Sequence, residues 1–154
     1  MKKCVNKGLT LLLAAVLFLV SCSKSPVDPV VNPLVFSADS VTASLTTGTW
    51  MISSFTQKTE DKTSKFDGFT FIFSADGSVT ATISGTETKG TWHFTPAVTY
   101  YGSTSKSAVA LNLGAATPLS QLTKTWNFVS ATSTLLKVDS PELAEDEHVQ
   151  FSRK

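Results

Sequence analysis

From about residue 44 to the C-terminus, apolar residues alternate with polar ones at a period of two. Successive side chains of a β-strand point to opposite faces, so half-buried strands write this pattern and helices do not. In "GTWMISSFTQ", Trp50, Ile52 and Ser54 fall on one face and Met51, Ser53 and Phe55 on the other. "FTFIFS" sets Phe69, Phe71 and Phe73 on one face. Asp76-Gly77 follows, a strong hairpin signal. "SVTATIS" sets Val79, Ala81 and Ile83 opposite Thr80, Thr82 and Ser84, and "GTETKG" is expected to turn the chain. "TWHFT" places Trp92 and Phe94 on one side and His93 on the other. After a polar loop near "YYGSTSKS" come "AVALNLG" with Val109, Leu111 and Leu113, and "KTWNFVS" with Trp126 and Phe128. "STLLKVDS" offers Leu135 with Val138, and "EHVQFSRK" offers Val149 and Phe151. Eight short strands at hairpin spacing predict an all-β domain, an antiparallel sandwich or barrel. Ser and Thr make up 42 of 154 residues, and ten Phe and three Trp add to the same preference. Short helical turns are expected over Ala38 to Leu45, capped by Ser37 or Asp39, and after Thr117-Pro118, carrying Leu119 and Leu122. A third is expected after Ser140-Pro141, since a hydroxyl residue before proline suits a helix start.

The N-terminus is written differently. Lys2, Lys3 and Lys7 precede Leu9 to Val20, an apolar run broken only by Thr10. A basic start and a short apolar core read as a secretory signal peptide. The run is shorter than the roughly 20 residues a spanning helix needs. Small Ser21 then precedes Cys22. Leu19-Val20-Ser21-Cys22 resembles the lipobox of bacterial lipoproteins. That resemblance implies removal of residues 1–21, diacylation of the Cys22 sulfur and acylation of the new amine. One acyl chain binds a bilayer only marginally, whereas several anchor it durably. Cleavage removes Cys4 and leaves Cys22 as the only cysteine, so no disulfide or cysteine metal site is expected. Ser23 to Pro33 contains Pro26, Pro29 and Pro33 and no core pattern, which suits a tether rising about 3.1 Å per residue. The expected organisation is a signal peptide over 1–21, a lipidated cysteine and linker over 22–36, and one barrel domain over 37–154. In the lipoproteins this resembles, Ser at position 23 favours the outer membrane. No acidic run follows Cys22, so the expectation is the periplasmic face over the cell surface.

Charge narrows the function classes. The full chain carries thirteen basic and twelve acidic residues. Three of the lysines lie in the leader, so the mature side chains sum to −2. A nucleic-acid footprint needs a basic patch, and none is expected here. The sequence holds no Gly-x-Ser-x-Gly elbow, phosphate loop or His-Glu-x-x-His. His93 and His148 are the only histidines. His148 adjoins Glu145-Asp146-Glu147, which lacks the spacing of a calcium loop and reads as a solvated acidic turn. The chain is therefore expected to be non-catalytic, with no cofactor and no metal.

Gly-Thr-Trp occurs twice, at 48–50 and 90–92. With the strings "L..GTW.I..F", "F.GFTF.FS.DGSV.A...G....GTW.F", "LS.LT..W" and "V.FSRK", residues 44 to 154 resemble the lipocalin-like domains of bacterial envelope lipoproteins. The resemblance implies an eight-stranded up-and-down barrel with Trp50 packed across its closed end. It also implies a binding module for a small apolar or amphipathic ligand, with Trp50, Phe71, Trp92, Trp126 and Phe128 as candidate cavity-lining residues. The alternative is that these rings fill the barrel, since eight strands enclose little more than their own side chains. The protein would then be an accessory interaction module docking to another envelope protein. Tyr100 and Tyr101, in the polar loop Ala97 to Lys106, are the candidate partner residues.

Overall fold

The computed structural model describes residues 36–154. The expected signal peptide, Cys22 and residues 23–35 of the expected linker lie outside the described residues. The described chain begins with Phe36 and a short helix, α1 (Ala38–Leu45), whose N-cap Ser37 accepts the Ser40 amide as expected. The strands follow as β1 (Trp50–Gln57), β2 (Glu60–Asp61), β3 (Thr70–Phe73), β4 (Ser78–Ile83), β5 (Thr86–Thr95), β6 (Thr99–Tyr100), β7 (Ser103–Thr104), β8 (Ala108–Asn112), β9 (Lys124–Ala131), β10 (Leu135–Asp139) and β11 (Glu147–Arg153). Two 3₁₀ turns intervene, Thr63–Phe66 and Leu119–Leu122.

Eight of these strands form one antiparallel meander in the order β1, β3, β4, β5, β8, β9, β10, β11, and β11 pairs back onto β1 from Trp50↔Arg153 to Gln57↔Glu147. The sheet is thus a closed up-and-down barrel, which leaves it no open edge. Its narrowest seam is between β1 and β3, joined by the single pair Trp50↔Phe71. There the Thr63–Phe66 turn takes the place of a ladder. The Phe55 amide donates to Thr63 Oγ1 at 2.9 Å, and the Lys62 amide donates to the Phe55 carbonyl at 2.7 Å.

The alternation holds in every barrel strand, with corrections where the chain slips. Ser53 is an extra residue in β1, so the register shifts between Ile52 and Ser54. A bulge of this kind flips the face of everything after it. Phe55, expected on the face opposite Trp50, therefore joins Trp50 and Ile52 inside. In β10 the inward residues are Leu136 and Val138, while Leu135 is only half-buried. Of "GTETKG" only Gly85 belongs to the turn, since Thr86 already opens β5. The turn is Ser84-Gly85, with φ of 50° and 80°, the pair of positive values a two-residue hairpin requires. The segment after Ser140-Pro141 forms a tight turn, and among the described residues no helix starts there. The Ser140 hydroxyl accepts the Glu142 amide locally, which satisfies the backbone without one.

The barrel has two poles. At one lie α1 and the strand ends Trp50, Phe73, Ser78, Thr95, Ala108, Ala131, Leu135 and Arg153. At the other lie both 3₁₀ turns, the Ser84-Gly85 turn and the β10–β11 loop. We call them the Phe36 pole and the acidic pole.

Candidate functional site

The five candidate rings all face inward. Trp50, Phe71 and Trp126 are fully buried, and Trp92 and Phe128 are nearly so. They pack on other rings edge to face: Phe71 on Phe151 at 5.5 Å, Phe73 on Trp92 at 5.6 Å, Phe55 on Trp126 at 6.4 Å and Phe94 on Phe128 at 5.1 Å. These geometries suit the ring quadrupole, and each ring buries roughly 150–250 Å². Each indole N–H has a backbone acceptor: Leu45 for Trp50 at 2.8 Å, Ser74 for Trp92 at 2.9 Å and Leu122 for Trp126 at 2.9 Å. The rings are thus fixed by packing, and the three indoles also by hydrogen bonds that leave no indole N–H unpaired.

Both poles are stoppered. At the Phe36 pole, α1 buries Val41 and Leu45 against the core. Phe36 adds its ring to Phe128 at 4.7 Å. Arg153 lies over the Trp50 ring at 5.1 Å and donates through Nη2 to the Ser44 carbonyl at 2.8 Å. At the acidic pole, Phe66, Leu119 and Leu122 are buried under the 3₁₀ turns. A polar cluster sits among them. Lys124 Nζ donates to Glu147 at 2.6 Å and to Glu145 at 2.8 Å, and Gln57 Nε2 donates to Glu147 at 2.9 Å. Lys62 reaches Gln57 in turn. Burial disfavours the Lys124 charge, but the hydrogen bonds it donates to Glu145 and Glu147, with their negative charge, outweigh it and raise the lysine above its ordinary pKa. The hydrogen bonds from Lys124 and Ser140 lower the Glu145 pKa. Sequence reading left this cluster undetected. Its members come from three distant segments, and only Lys124 and Glu147, at inward positions of β9 and β11, interrupt the apolar inner face and hint at it.

The clefts lie on the outside. One, of about 510 Å³, runs beneath the β10–β11 loop. Its apolar wall is Phe128, Val129, Pro141 and Leu143, and its polar wall includes Lys106, Asp139, Glu142 and His148. Leu143 is 93% exposed there. Val129 faces outward by alternation after buried Phe128, and it is also the extra residue of a second bulge, on β9 opposite Lys137 and Val138. A shallower groove of about 330 Å³ crosses the outer face of β5, β8 and β9 at His93, Ala110 and Thr125.

His148 stands at the edge of the larger cleft between two carboxylates, Asp139 at 2.7 Å and Asp146 at 3.2 Å. The hydrogen bond to Asp139 is the main reason its pKa is raised from 6.5. Among the described residues, no three His, Cys, Asp or Glu side chains converge as a metal set would require. None of the described helices is long and apolar enough to cross a membrane.

Tyr100 and Tyr101 do not fold onto the barrel rim. The segment between β5 and β8 forms a hairpin of its own, pairing Thr99↔Thr104 and Tyr100↔Ser103 in a separate two-stranded sheet. Tyr100 is 72% and Tyr101 91% exposed. Their rings contact only each other among aromatic partners, at 4.3 Å. Tyr101, Gly102 and the exposed Val98 complete an uncharged tip.

No family model and no curated protein matches the chain. Among solved structures, it is similar to the crystal structure of a DUF4847 family protein from Bacteroides vulgatus ATCC 8482, with 18% identity and a TM-score of 0.49. The match covers 74% of this chain and 97% of that one.

Proposed function

We propose that the protein is a non-catalytic envelope lipoprotein, anchored in the outer membrane by acylated Cys22 and facing the periplasm, whose barrel acts through its outer surface. It is an accessory interaction module for another envelope protein. The observation that supports this reading is the interior, filled by interlocking rings and stoppered at both poles. A carrier of apolar ligands would have to expel Trp50, Phe71 or Trp126 to make room, at a cost of roughly 3–5 kcal/mol for each large side chain unpacked. The outer cleft beneath the β10–β11 loop offers a partner exposed Val129, Pro141 and Leu143 beside charged side chains. An apolar centre with a polar rim is the usual anatomy of a docking surface.

Two measurements test the reading. Tryptophan fluorescence, titrated with a fatty acid and an apolar dye, is expected to show no saturable change. Saturable quenching that Ala81→Phe abolishes would establish a pocket and overturn the interaction reading. A photo-crosslinking residue at position 143, in cells, is expected to trap one discrete envelope protein that position 87 does not.

A further inference from the structure

The poles differ in charge. Among the described residues, the acidic pole carries Glu60, Asp61, Asp67, Glu87, Glu142, Glu145, Asp146 and Glu147 against Lys58, Lys62, Lys65 and Lys124. The Phe36 pole carries only Asp39 and Asp76 against Lys106, Arg153 and Lys154. The β6–β7 hairpin belongs to the Phe36 pole, since it joins the lower ends of β5 and β8 at Thr95↔Ala108. Its base is tied to the place where the chain enters the fold. Phe36 packs on Phe128, and the Phe128 amide donates to the carbonyl of Ser107 at 2.8 Å. Cys22 stands fourteen residues before Phe36. A segment of that length spans at most about 50 Å.

We propose that the β6–β7 hairpin places the rings of Tyr100 and Tyr101 in the lipid–water interface of the membrane, turning the Phe36 pole to the bilayer and the acidic pole away from it. The proposal rests on the reading of Cys22 as the anchor. Tyrosine suits this position because its ring is apolar and its hydroxyl is polar, and such rings concentrate at headgroup level. The tip, Val98 to Ser105, has no charged residue to desolvate. It extends roughly 13 Å beyond the base, at about 3.3 Å per strand residue. Charge sets the same orientation. Anionic headgroups repel the acidic pole and not the other, and the effect reaches about a Debye length from the surface. A weak contact is sufficient, because the anchor already holds the hairpin at high effective concentration near the surface. The acidic pole and the Leu143 end of the outer cleft are then left facing the periplasm.

The test uses the full acylated protein in vesicles of phosphatidylethanolamine and phosphatidylglycerol. Ser103→Cys, beside the tip, carries a nitrobenzoxadiazole fluorophore, and Glu87→Cys carries it at the far pole. Lipids with a nitroxide near the headgroup are expected to quench the label at 103 several-fold more than at 87. Adding Tyr100→Ser and Tyr101→Ser is expected to bring 103 down to the level of 87 while the protein still floats with the vesicles. A floating protein whose two labels are equally open to aqueous iodide overturns the proposal and leaves the anchor standing. A protein that does not float overturns the anchor and the proposal with it. Shielding at 103 that appears only when envelope proteins are added, with no quenching by lipid, overturns it in favour of a protein contact.

Discussion

Gly90 is the residue on which the barrel's tightest backbone approach depends. It begins the second Gly-Thr-Trp, on β5, and faces inward with Trp92 and Phe94. A Cβ placed on it would lie 2.1 Å from the Asn112 carbonyl oxygen, 3.0 Å from that carbonyl carbon and 3.1 Å from Leu113 Cα. Comfortable contacts between carbon atoms lie at roughly 3.5–4.0 Å. All three obstacles are backbone, so no rotamer change relieves them. Gly90→Ala must therefore push the chain after β8 away by about 1 Å or more. That movement strains Thr91↔Asn112 and the buried seat of Leu113. Overpacking of this kind costs about 1–3 kcal/mol, occasionally more. Against it stands the backbone-entropy gain of replacing glycine, roughly 0.4–1 kcal/mol. We expect a net loss of about 2–3 kcal/mol, set by the upper part of the overpacking range because two strands must move. For a domain of this size that lowers Tm by roughly 8–15 °C. Urea unfolding followed by tryptophan fluorescence measures it. Gly85→Ala is the control: its φ is 80° but nothing lies within 4 Å of the new Cβ, so it should cost only about 1 kcal/mol. If Gly90→Ala unfolds within 0.5 kcal/mol of the parent, the close approach is not what fixes this glycine.

Three further outcomes are expected. Lys124→Met leaves the buried Glu147 carboxylate without its cation and should cost about 2–3 kcal/mol by urea unfolding, while Lys124→Met with Glu147→Gln recovers at least half; equal losses would mean the pair is idle. Because the folded state raises the His148 pKa above 6.5, its contribution to stability is complete at pH values below 6.5 and is lost as pH rises through the folded value. An NMR titration of the imidazole should show that raised midpoint, and Asp139→Asn should bring it down; an unchanged midpoint rejects the Asp139 contact as its cause. Arg153→Met keeps the aliphatic stem beside Gly48 but loses both the guanidinium over Trp50 and the bond to Ser44, and it should lower stability by about 1–2 kcal/mol and loosen α1 in hydrogen exchange; unaltered α1 protection would refute the strap.

The strands were legible because each inner face repeats at a period of two, and Asp76-Gly77 marked a hairpin that the structure contains. What misled the assignment of inward faces was local, a shift of register. Nothing in "WMISSFTQ" distinguishes Ser53 as a bulge, because Ser53 and Ser54 look alike until β11 is laid beside them. Leu135 and Leu136 present both parities at once, and only the pairing Leu136↔Phe151 decides which faces in. The polar cluster at the acidic pole was illegible for a different reason. Gln57, Lys124, Glu145 and Glu147 become neighbours only when the barrel closes, and a single sequence carries no record of that closure.

The two Gly-Thr-Trp tripeptides show how one string serves two physical ends. Gly48 has φ of 81° and lets the chain leave α1 and enter β1 while its missing side chain makes room for the Arg153 stem at 3.2 Å. Gly90 has an ordinary strand conformation and is required by space alone. In both, the tryptophan two residues later is buried, with its N–H spent on a backbone carbonyl. A glycine that admits a neighbouring chain beside an indole that closes a gap is a device for sealing a small barrel. Used twice toward the Phe36 pole, it fills that end of the core. On the outside, the chain exposes Leu143 beside the cleft and a tyrosine pair on the β6–β7 hairpin, the surfaces on which the proposed contacts depend.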